Sequence, residues 1–352
     1  MDMFPYLGWL LGSFALTSTL IVPYINFLYK LKMRRQVQHT LAPTGGTTPI
    51  FDKFHNIKAG TPVGGGFLIL VVVGLMFLMI FPSYQFMGMK IKYVLGGDGF
   101  WELAILFFTF ISFGILGLYD DIIKTLKIAK TGVFGLSMKH KFIIQIFLGL
   151  AIGSMFYFGA NVDLIHISGT PWALHIGWLF IPLVAVIVVG FANAMNITDG
   201  LDGLSSGLLT IALFIFWMIA QPDVDTPLSV FLAIWIGALM AFLYFNVYPA
   251  RIWLGDVGSM SFGATLAVVA LLLGKIVVLL IIGGLFILEA GSSLIQMVSK
   301  KYYGRKILPA APIHLTLQHL GWEEPKIVTR AWLAAIMLGI FGLWLTMFST
   351  YG

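Results

Sequence analysis

Cysteine is absent from this sequence of 352 residues, and charged residues are scarce. Without cysteine the chain can form no disulfide, no thiolate nucleophile and no zinc site with cysteine ligands. Only 10% of the residues are Asp, Glu, Lys or Arg, whereas 59% are hydrophobic and the mean hydropathy is +0.96. Soluble domains carry about a quarter charged residues, so this composition indicates a protein embedded in the lipid bilayer.

The formal net charge of +6 does not indicate a nucleic-acid-binding protein, because the 21 Lys and Arg residues are spread over short loops between apolar segments. The first apolar segment begins near Phe4 without a basic leader or a cleavage site of small residues, so we expect it to remain as the first span. Neither a second domain nor an internal repeat is recognisable, and we predict a single membrane domain over residues 1–352.

Apolar segments long enough to cross a bilayer, roughly 17–25 residues for about 30 Å of hydrocarbon, recur along the whole chain. The sequence therefore predicts an all-α, polytopic membrane protein with about ten transmembrane helices. Only Gly274 and Lys275 separate the eighth and ninth segments, so a broken or re-entrant helix is an alternative there. The predicted spans cover residues 6–30, 63–82, 100–118, 141–158, 176–195, 204–220, 228–246, 259–274, 276–299 and 328–348.

The basic residues predict the orientation of these spans. If the N-terminus lies outside, all but three of the 21 Lys and Arg residues fall on the inside, and only Lys90, Lys92 and Lys275 remain outside. Positive charge concentrates on the cytoplasmic side of membrane proteins. We therefore expect both termini outside and the long basic loops in the cytoplasm.

Aspartates lie at the predicted cytoplasmic ends of three different spans. Together with lysines such as Lys124 and Lys141 they can converge on a site for Mg²⁺ and a polyphosphate, because Mg²⁺ binds one or two carboxylates plus phosphate oxygens. The alternative is that acidic side chains at helix ends simply avoid the hydrocarbon. These aspartates are Asp120, Asp121, Asp199, Asp202 and Asp256.

A run of polar side chains at steps of three occupies residues 193–203 and contains Asn193, Asn196, Asp199 and Asp202. On a helical turn these four side chains share roughly one face, and two glycines in the run permit close approach of a ligand. Helix capping by Asn and Asp is the alternative role. The spacing favours a ligand-binding segment.

Two glycine-containing loops are further candidates for substrate contacts. The loop at 55–66 contains Lys58 and Thr61, and its backbone N–H groups, the following helix N-terminus and Lys58 would suit an anion such as diphosphate. Glycine-rich turns before helices are common, so this loop alone is a weak indicator. In the second loop Trp253 precedes Asp256 by three residues, and an exposed Trp can stack on a nucleobase or serve only as a membrane anchor.

Polar residues also occur in and after the ninth span. Glu289 lies within the apolar run, where an ionised side chain is costly, so we expect it to face a polar cleft or a partner. Gln296 follows two helical turns later on the same face. The next loop contains His314 and His319, although histidines in loops are more often surface residues than catalytic ones.

Taken together, these motifs resemble those of the polyprenyl-phosphate N-acetylhexosamine-1-phosphate transferase superfamily, most closely its phospho-N-acetylmuramoyl-pentapeptide transferase family. The resemblance covers nearly the whole chain. The matching segments are Lys-Ala-Gly-Thr-Pro-x-x-Gly-Gly at 58–66, Leu-Tyr-Asp-Asp at 118–121, Gly-Leu-Ser-x-Lys-x-Lys at 135–141, the Asn/Asp run at 193–203, Pro-Ala-x-x-x-x-Gly-Asp-x-Gly-Ser at 249–259, Glu-x-x-Ser-x-x-x-Gln at 289–296, Ala-Pro-Ile-His at 311–314, Gly-Trp-x-Glu-Pro-Lys at 321–326 and Arg330-x-Trp332.

The resemblance implies a multi-pass protein of the bacterial inner membrane with ten spans, both ends outside and an active-site cleft facing the cytoplasm. There undecaprenyl phosphate would attack the β-phosphate of UDP-N-acetylmuramoyl-pentapeptide, giving the lipid-linked muramoyl-pentapeptide (lipid I) and UMP. The family also implies Mg²⁺ as cofactor and allows a homodimer.

The resemblance further implies roles for individual residues. Asp256 corresponds to a Mg²⁺ ligand, helped by Asn196, and Asp120 and Asp121 correspond to the pair near the attacking phosphate, of which either can act as base. Residues at positions that contact the uridine diphosphate portion are Lys58, Thr61, Asn193, Asn196, Asp199, Asp202, Trp253 (in place of the usual Phe) and Gln296.

The chain departs from the family at a loop that normally contains three consecutive histidines. His314 is kept, but Leu315 and Thr316 replace the second and third. We expect His314 to be the catalytic histidine, because His319 would point about 140° away from it if the loop is helical.

Two other functions compete with this interpretation. A sister transferase would act on UDP-N-acetylglucosamine, although that branch lacks the Gly-Trp-x-Glu-Pro-Lys segment. A secondary transporter would also have about ten spans with internal charges, but it would favour inverted repeats and polar residues near the bilayer midplane. Here the charges crowd at one face, which favours the transferase.

Overall fold

The computed structural model describes residues 4–35, 58–86, 91–95, 99–126, 138–166, 170 and 172–348. Parts of three sequence-based expectations lie outside the described residues, namely residues 55–57, residues 135–137 and four lysines of the predicted orientation, Lys53, Lys90, Lys127 and Lys130. The helices are α1 (Phe4–Lys30), α2 (Gly65–Phe86), α3 (Phe100–Leu126), α4 (Met138–Ser154), α5 (Phe180–Thr198), α6 (Leu204–Val224), α7 (Thr226–Asn246), α8 (Gly255–Leu272), α9 (Ile276–Ile282), α10 (Gly284–Tyr303), α11 (Ile313–His319) and α12 (Glu324–Phe348).

Within these described ranges, nine helices are long and apolar enough to cross a membrane, and α9 with α10, bent by 75°, makes a tenth if the pair is counted as one broken span. The expected polytopic helical membrane protein is thereby confirmed. Two boundaries differ from the predicted spans in a way that concerns the polar residues: α3 continues to Leu126, and α8 already begins at Gly255. As a result Asp120, Asp121 and Asp256 belong to helices rather than to loops.

The break in the ninth span lies further along the chain than expected. Gly274 and Lys275 form a turn between α8 and α9, and Gly274 has φ +65°. The 75° bend comes at Gly283, between α9 and α10. A Cβ atom at Gly283 would lie 2.4 Å from Cε1 of Phe191, so the close packing against α5 requires glycine at the bend.

Helix α8 is the central helix of the bundle, and nearly all of its residues are buried. It packs against α3, α5 and α2. Close approach depends on glycine, because a Cβ at Gly66 would lie 2.3 Å from Cα of Gly258, and a Cβ at Gly117 would lie 2.2 Å from the carbonyl oxygen of Asp256. Small residues at such contacts are typical of membrane helices, and here they bring the ends of α2, α3 and α8 together.

A small β-hairpin is the exception to the expected all-α fold. Strands β1 (Leu164–His166) and β2 (Ala173–His175) pair antiparallel, with Ile165 opposite Leu174. The hairpin connects α4, extended by a π-helical turn at Met155–Gly159, to α5 at the end of the bundle opposite the aspartates. Strands of three residues contain too little alternation to be recognised in a sequence.

Candidate active site

Two aspartates and two lysines form an ion-pair cluster where α3, α4 and α8 meet. Lys124 lies one turn after Asp120 on α3, and its Nζ atom is 2.8 Å from Oδ2 of Asp120 and 2.7 Å from Oδ2 of Asp256. Lys141, from the first turn of α4, is 2.9 Å from the same Asp120 oxygen and also pairs with Asp256. Residues far apart in sequence thus converge as predicted.

The cluster lies between a buried and an accessible side. The side chain of Asp120 is 1% exposed, whereas that of Asp256 is 14% and that of Lys124 is 33% exposed. Lys124 is therefore the most exposed member of these three, and Asp120 lies beneath it. Ionised groups with restricted access to water interact more strongly than exposed ones.

Asn196 orients the carboxylate of Asp256. Its Nδ2 atom donates to Oδ1 of Asp256 at 3.0 Å and to Oγ of Ser259 at 2.7 Å. Both N–H groups of the amide are occupied, so Asn196 as placed here steadies the aspartate. Its role as a direct Mg²⁺ ligand stays a prediction.

Asp121 plays a different structural part from Asp120. Its two carboxylate oxygens accept the backbone N–H groups of Asp256 and Val257, each at 3.1 Å. These are N–H groups of the first turn of α8, which have no partner within the helix. The adjacent aspartates therefore diverge: Asp120 joins the lysines, and Asp121 fixes the start of the helix that carries Asp256.

The three consecutive glycines of the glycine-rich loop, Gly64, Gly65 and Gly66, do not present free backbone N–H groups to an anion, contrary to our expectation. The N–H groups of Gly64 and Gly65 donate to the carbonyl oxygen of Trp253 at 3.2 and 2.9 Å, and that of Gly66 donates to Leu254 at 2.8 Å. Protein carbonyls already satisfy these donors. The loop instead joins the N-terminal ends of α2 and α8.

Lys58, from this loop, is paired with two carboxylates. Its Nζ atom is 2.8 Å from Oδ1 of Asp202 and also contacts Oε1 of Glu324 in the first turn of α12. The same Glu324 oxygen accepts the Asp202 N–H at 2.6 Å, and Oδ2 of Asp202 accepts the N–H of Ala250 at 2.9 Å. Glu324 was not singled out from the sequence, although it is the glutamate of the Gly-Trp-x-Glu-Pro-Lys segment.

Trp253 is buried, whereas we expected an exposed ring. Only 4% of the residue is accessible, and the guanidinium of Arg35 and the ammonium of Lys58 lie 4.6 and 5.0 Å from its ring centroid. The backbone N–H of Arg35 donates to the carbonyl of Thr61 at 2.9 Å, which fixes Arg35 beside the loop. Stacking of Trp253 on a base therefore requires Arg35 to move, and the role of Thr61 stays a prediction.

Asp199 lies in the turn between α5 and α6, where the hydroxyl of Ser205 donates to its carboxylate. Burial, and next the charge of Asp256, raises the pKa of Asp199 to about 6, while the hydrogen bond from Ser205 and the positive charge of Arg35 oppose the shift. Burial also lowers the pKa of Arg35, against the attraction of Asp199 and Asp202. A charged ligand bound here would therefore shift the pKa values of Asp199 and Arg35.

Asn193 lies one turn before Asn196 and does not contact the ion-pair cluster directly. Its Nδ2 atom donates to Oε1 of Gln145 at 2.6 Å and to the carbonyl of Val189 at 2.8 Å. Gln145 is buried on α4, one turn after Lys141. The pair thus joins α4 to α5 below the cluster, and contact of Asn193 with a substrate stays a prediction.

His314 is buried in α11, with Nδ1 2.9 Å from Oε2 of Glu289 on α10. The expected partner of Glu289 is therefore this imidazole. Gln296 is occupied by the backbone before α11: its Oε1 accepts the N–H groups of Ile307 and Leu308 at 3.0 and 3.1 Å, and its Nε2 donates to the carbonyl of Leu308 at 2.7 Å. Gln296 thus holds the loop, and contact with a nucleotide stays a prediction.

The positions of the two missing histidines are filled by buried side chains. Leu315 is 1% exposed, and the hydroxyl of Thr316 donates to the carbonyl of Ala310. His319 ends the same short helix and is exposed. The loop is helical, and its two histidines lie in opposite environments, as their spacing predicted.

The donor set fits a Mg²⁺ ion that arrives with a diphosphate. Among the described residues no group of three or more His, Asp or Glu side chains is placed to hold a metal alone. Asp256 and Asp120 nevertheless provide two carboxylates side by side, and Mg²⁺ commonly takes one or two carboxylates plus substrate phosphate oxygens.

Comparisons with known proteins identify similar sequences. Residues 103–274 match the family model described as Glycosyl transferase family 4. Similar relatives are the phospho-N-acetylmuramoyl-pentapeptide-transferases of Bacillus licheniformis, 33% identical over 331 residues and 94% of each chain, and of Halalkalibacterium halodurans, 33% identical over 345 residues and 97% of each chain. That of Bacillus subtilis is 31% identical over 331 residues, again 94% of each chain.

Proposed function

The chain belongs to the phospho-N-acetylmuramoyl-pentapeptide transferase family, a family of membrane transferases of peptidoglycan synthesis, and from that premise we propose its reaction. It transfers phospho-N-acetylmuramoyl-pentapeptide from UDP-N-acetylmuramoyl-pentapeptide to undecaprenyl phosphate, releasing UMP and forming lipid I. The bacterial inner membrane is the proposed location, with both termini outside and the site facing the cytoplasm. The concentration of Lys and Arg in the loops at that end supports this orientation.

The observation that carries the proposal is the cluster of Asp120, Lys124, Lys141 and Asp256. Both proposed substrates are anionic at the reacting group, and phosphoryl transfer depends mainly on positioning and on electrostatic stabilisation of the transferred group. Two ammonium groups held within 3 Å of carboxylates are positioned before any substrate binds. The cluster also lies at helix ends, where a polyprenyl phosphate can reach it from the bilayer.

In the proposed reaction an oxygen of the lipid phosphate forms a bond to the β-phosphorus of the nucleotide sugar. The bond from that phosphorus to the oxygen bridging the α- and β-phosphates breaks, and this oxygen leaves with its electron pair as part of UMP. Lys124 and Lys141 stabilise negative charge on the transferred group. Asp120, held between both lysines, is the better candidate to accept a proton from the lipid phosphate, because Asp121 is occupied by α8.

Magnesium is the proposed cofactor, held by Asp256 with Asp120 nearby. When bound, the ion would supply a Lewis acid that polarises the diphosphate and neutralises charge on it. Asn196 contributes by keeping the Asp256 carboxylate in place. The segment around Lys58, Trp253, Asp199 and Asp202 is the proposed binding region for the uridine diphosphate portion.

The test is a comparison of two donors with the purified protein in detergent, undecaprenyl phosphate and Mg²⁺. We expect UMP release with UDP-N-acetylmuramoyl-pentapeptide and none above background with UDP-N-acetylglucosamine. The opposite preference would identify a sister transferase. A cooperative thermal unfolding transition shows that the purified protein is folded. If such a protein releases no UMP with either donor, the proposal is contradicted.

A further inference from the structure

Glu289 is a buried carboxylate on α10 that the proposed reaction has not yet used. It lies beyond the 75° bend at Gly283, in a span that is otherwise apolar on this stretch, and is 7% exposed. Ionisable side chains inside membrane spans are costly and usually have a specific partner. The question is what its partner gains from it.

The partner is His314, and the contact fixes the ring. Oε2 of Glu289 lies 2.9 Å from Nδ1 of the imidazole and 3.5 Å from the backbone nitrogen of His314. When Glu289 is ionised it can only accept, so the hydrogen on Nδ1 points at the carboxylate and Nε2 is the remaining polar atom of the neutral ring. Carboxylates that orient histidines in this way commonly set the tautomer and the ring plane.

The free end of the imidazole points at the turn that carries the proposed nucleotide-binding aspartates. A Cβ atom at Gly200 would lie 2.4 Å from Nε2 and 2.8 Å from Cε1 of His314, so the ring packs directly on this glycine. Gly200 lies between Asp199 and Asp202, and Asp202 contacts Lys58. Nε2 is therefore held against the turn that we propose to contact the uridine diphosphate portion of the donor.

We propose that Glu289 is a positioning residue that acts through His314, holding Nε2 toward the 199–202 turn and the uridine diphosphate portion proposed to bind there. This inference rests on the proposed function for its catalytic consequence, but the geometry itself does not. In this proposal the bend at Gly283 is functional, because α10 beyond the bend carries Glu289 to its contact with α11. The remaining histidine of the loop is thereby oriented without the two neighbours that Leu315 and Thr316 replace.

The kinetic test is a double-mutant cycle of Glu289→Ala and His314→Ala, with Glu289→Gln as the conservative variant. We expect Glu289→Ala to lower kcat by roughly 10–100-fold, the usual effect of removing a carboxylate that orients a functional histidine. In the His314→Ala background the same change should have almost no further effect, because residues that act as a unit are not additive. Glu289→Gln should retain most of the activity, since its amide oxygen still accepts from Nδ1. Equal losses from Glu289→Ala in both backgrounds would overturn the proposal.

A second measurement requires neither substrate nor turnover. Carbethoxylation by diethyl pyrocarbonate, followed residue by residue by mass spectrometry, compares buried His314 with exposed His319 in the same helix. We expect Glu289→Ala to change the rate at His314 by about tenfold relative to the rate at His319, and Glu289→Gln to leave the ratio near that of the wild type. If the ratio of the His314 rate to the His319 rate is unchanged in Glu289→Ala, the proposed positioning is overturned. This holds whichever nucleotide sugar the wild type uses.

The two proposals fail in distinguishable ways. Wild-type protein that releases no UMP contradicts the proposed function, whereas the reactivity of His314 still tests the contact with Glu289. If Glu289→Ala does not fold, the near-isosteric Glu289→Gln and the His314→Ala variant remain. The glutamine oxygen can still accept the hydrogen bond from Nδ1. A kcat of Glu289→Gln as low as that of His314→Ala would therefore contradict the proposed positioning.

Discussion

The side chain of Asp121 accepts a hydrogen bond from the backbone of Asp256, with 3.1 Å between Oδ1 and the backbone nitrogen. The side chain that anchors the start of α8 is thus the direct neighbour of Asp120, which binds the lysines. A carboxylate that accepts two N–H groups at a helix start satisfies donors that have no partner in the helix. The two adjacent aspartates should therefore respond differently to the same substitution.

We predict that Asp120→Asn and Asp121→Asn each lower turnover by at least about a hundredfold, for different reasons. Asp120→Asn removes the charge that holds both lysines, and the protein should stay folded. Asp121→Asn places an amide N–H₂ group against one of the two backbone donors, so its thermal unfolding midpoint should fall as well. Measurement of UMP release and of thermal unfolding separates the two effects. Normal rates of UMP release in both variants would show that Asp120 and Asp121 have no role in the reaction.

The two histidines of α11 give a second prediction. His314→Ala should reduce turnover by about tenfold or more, because the buried imidazole is the polar group that this loop presents to the 199–202 turn. His319→Ala should be mild, since His319 is exposed. Kinetics at saturating Mg²⁺ decide between them, and a severe defect in His319→Ala beside a mild one in His314→Ala would reverse the assignment.

Glu324 gives a third prediction. Glu324→Gln removes the charge that pairs with Lys58 and should raise KM for the nucleotide donor by about tenfold, as expected for the loss of a charged hydrogen bond. The effect on kcat should be smaller, because Lys58 does not contact Asp120 or Asp256. The neighbouring Glu323 is exposed, so Glu323→Gln is the matched control. A KM equal to that of the control would show that Glu324 only stabilises α12.

Asp225, at the end of the bundle opposite the lysine–aspartate cluster, predicts a pH dependence of stability. It is fully buried beside Glu102, and it caps α7 by accepting the N–H of Leu228 at 2.9 Å. Burial is the main cause that raises the pKa of Asp225 to about 6. The folded state thus binds a proton more tightly than the unfolded state, so this contribution to stability is full below about pH 4 and is lost as the pH rises to about 6.

The substitution Asp225→Asn should remove that loss. Between about pH 4 and pH 7 the thermal midpoint of the variant, relative to wild type, should rise with pH and then level off. Glu323→Gln, at an exposed carboxylate, serves as the control. A constant difference between Asp225→Asn and wild type across this range would contradict the prediction.

Much of the fold was predictable because bilayer thickness dictates span length. The nine helices that can span a membrane, the apolar stretch of the bent pair and most of their limits follow from apolar runs alone. The extension of α3 through Asp120 and Asp121 did not, since apolarity ends before the helix does. Nor did the bend at Gly283, which depends on packing against Phe191 from another helix.

In the site, the convergence of Asp120 and Asp256 was predicted, but the partners were not. The occupied N–H groups of Gly64 and Gly65 and the buried ring of Trp253 result from tertiary contacts that spacing cannot show. Glu324 was hidden within a matched motif, where a sequence gives no partner. The position of Glu324 in a matched motif, at the start of a predicted span, is the signal that could have identified it.

The central claim is that the cluster around Asp256 is the reaction centre, and the rate of UMP release by Asp256→Asn tests it most directly. An amide keeps the size of the side chain but is a far poorer Mg²⁺ ligand and cannot pair with Lys124 and Lys141 as a carboxylate does. With a variant that unfolds cooperatively like the wild type, we predict turnover at least about a hundredfold lower. Turnover within about threefold of wild type would contradict the account.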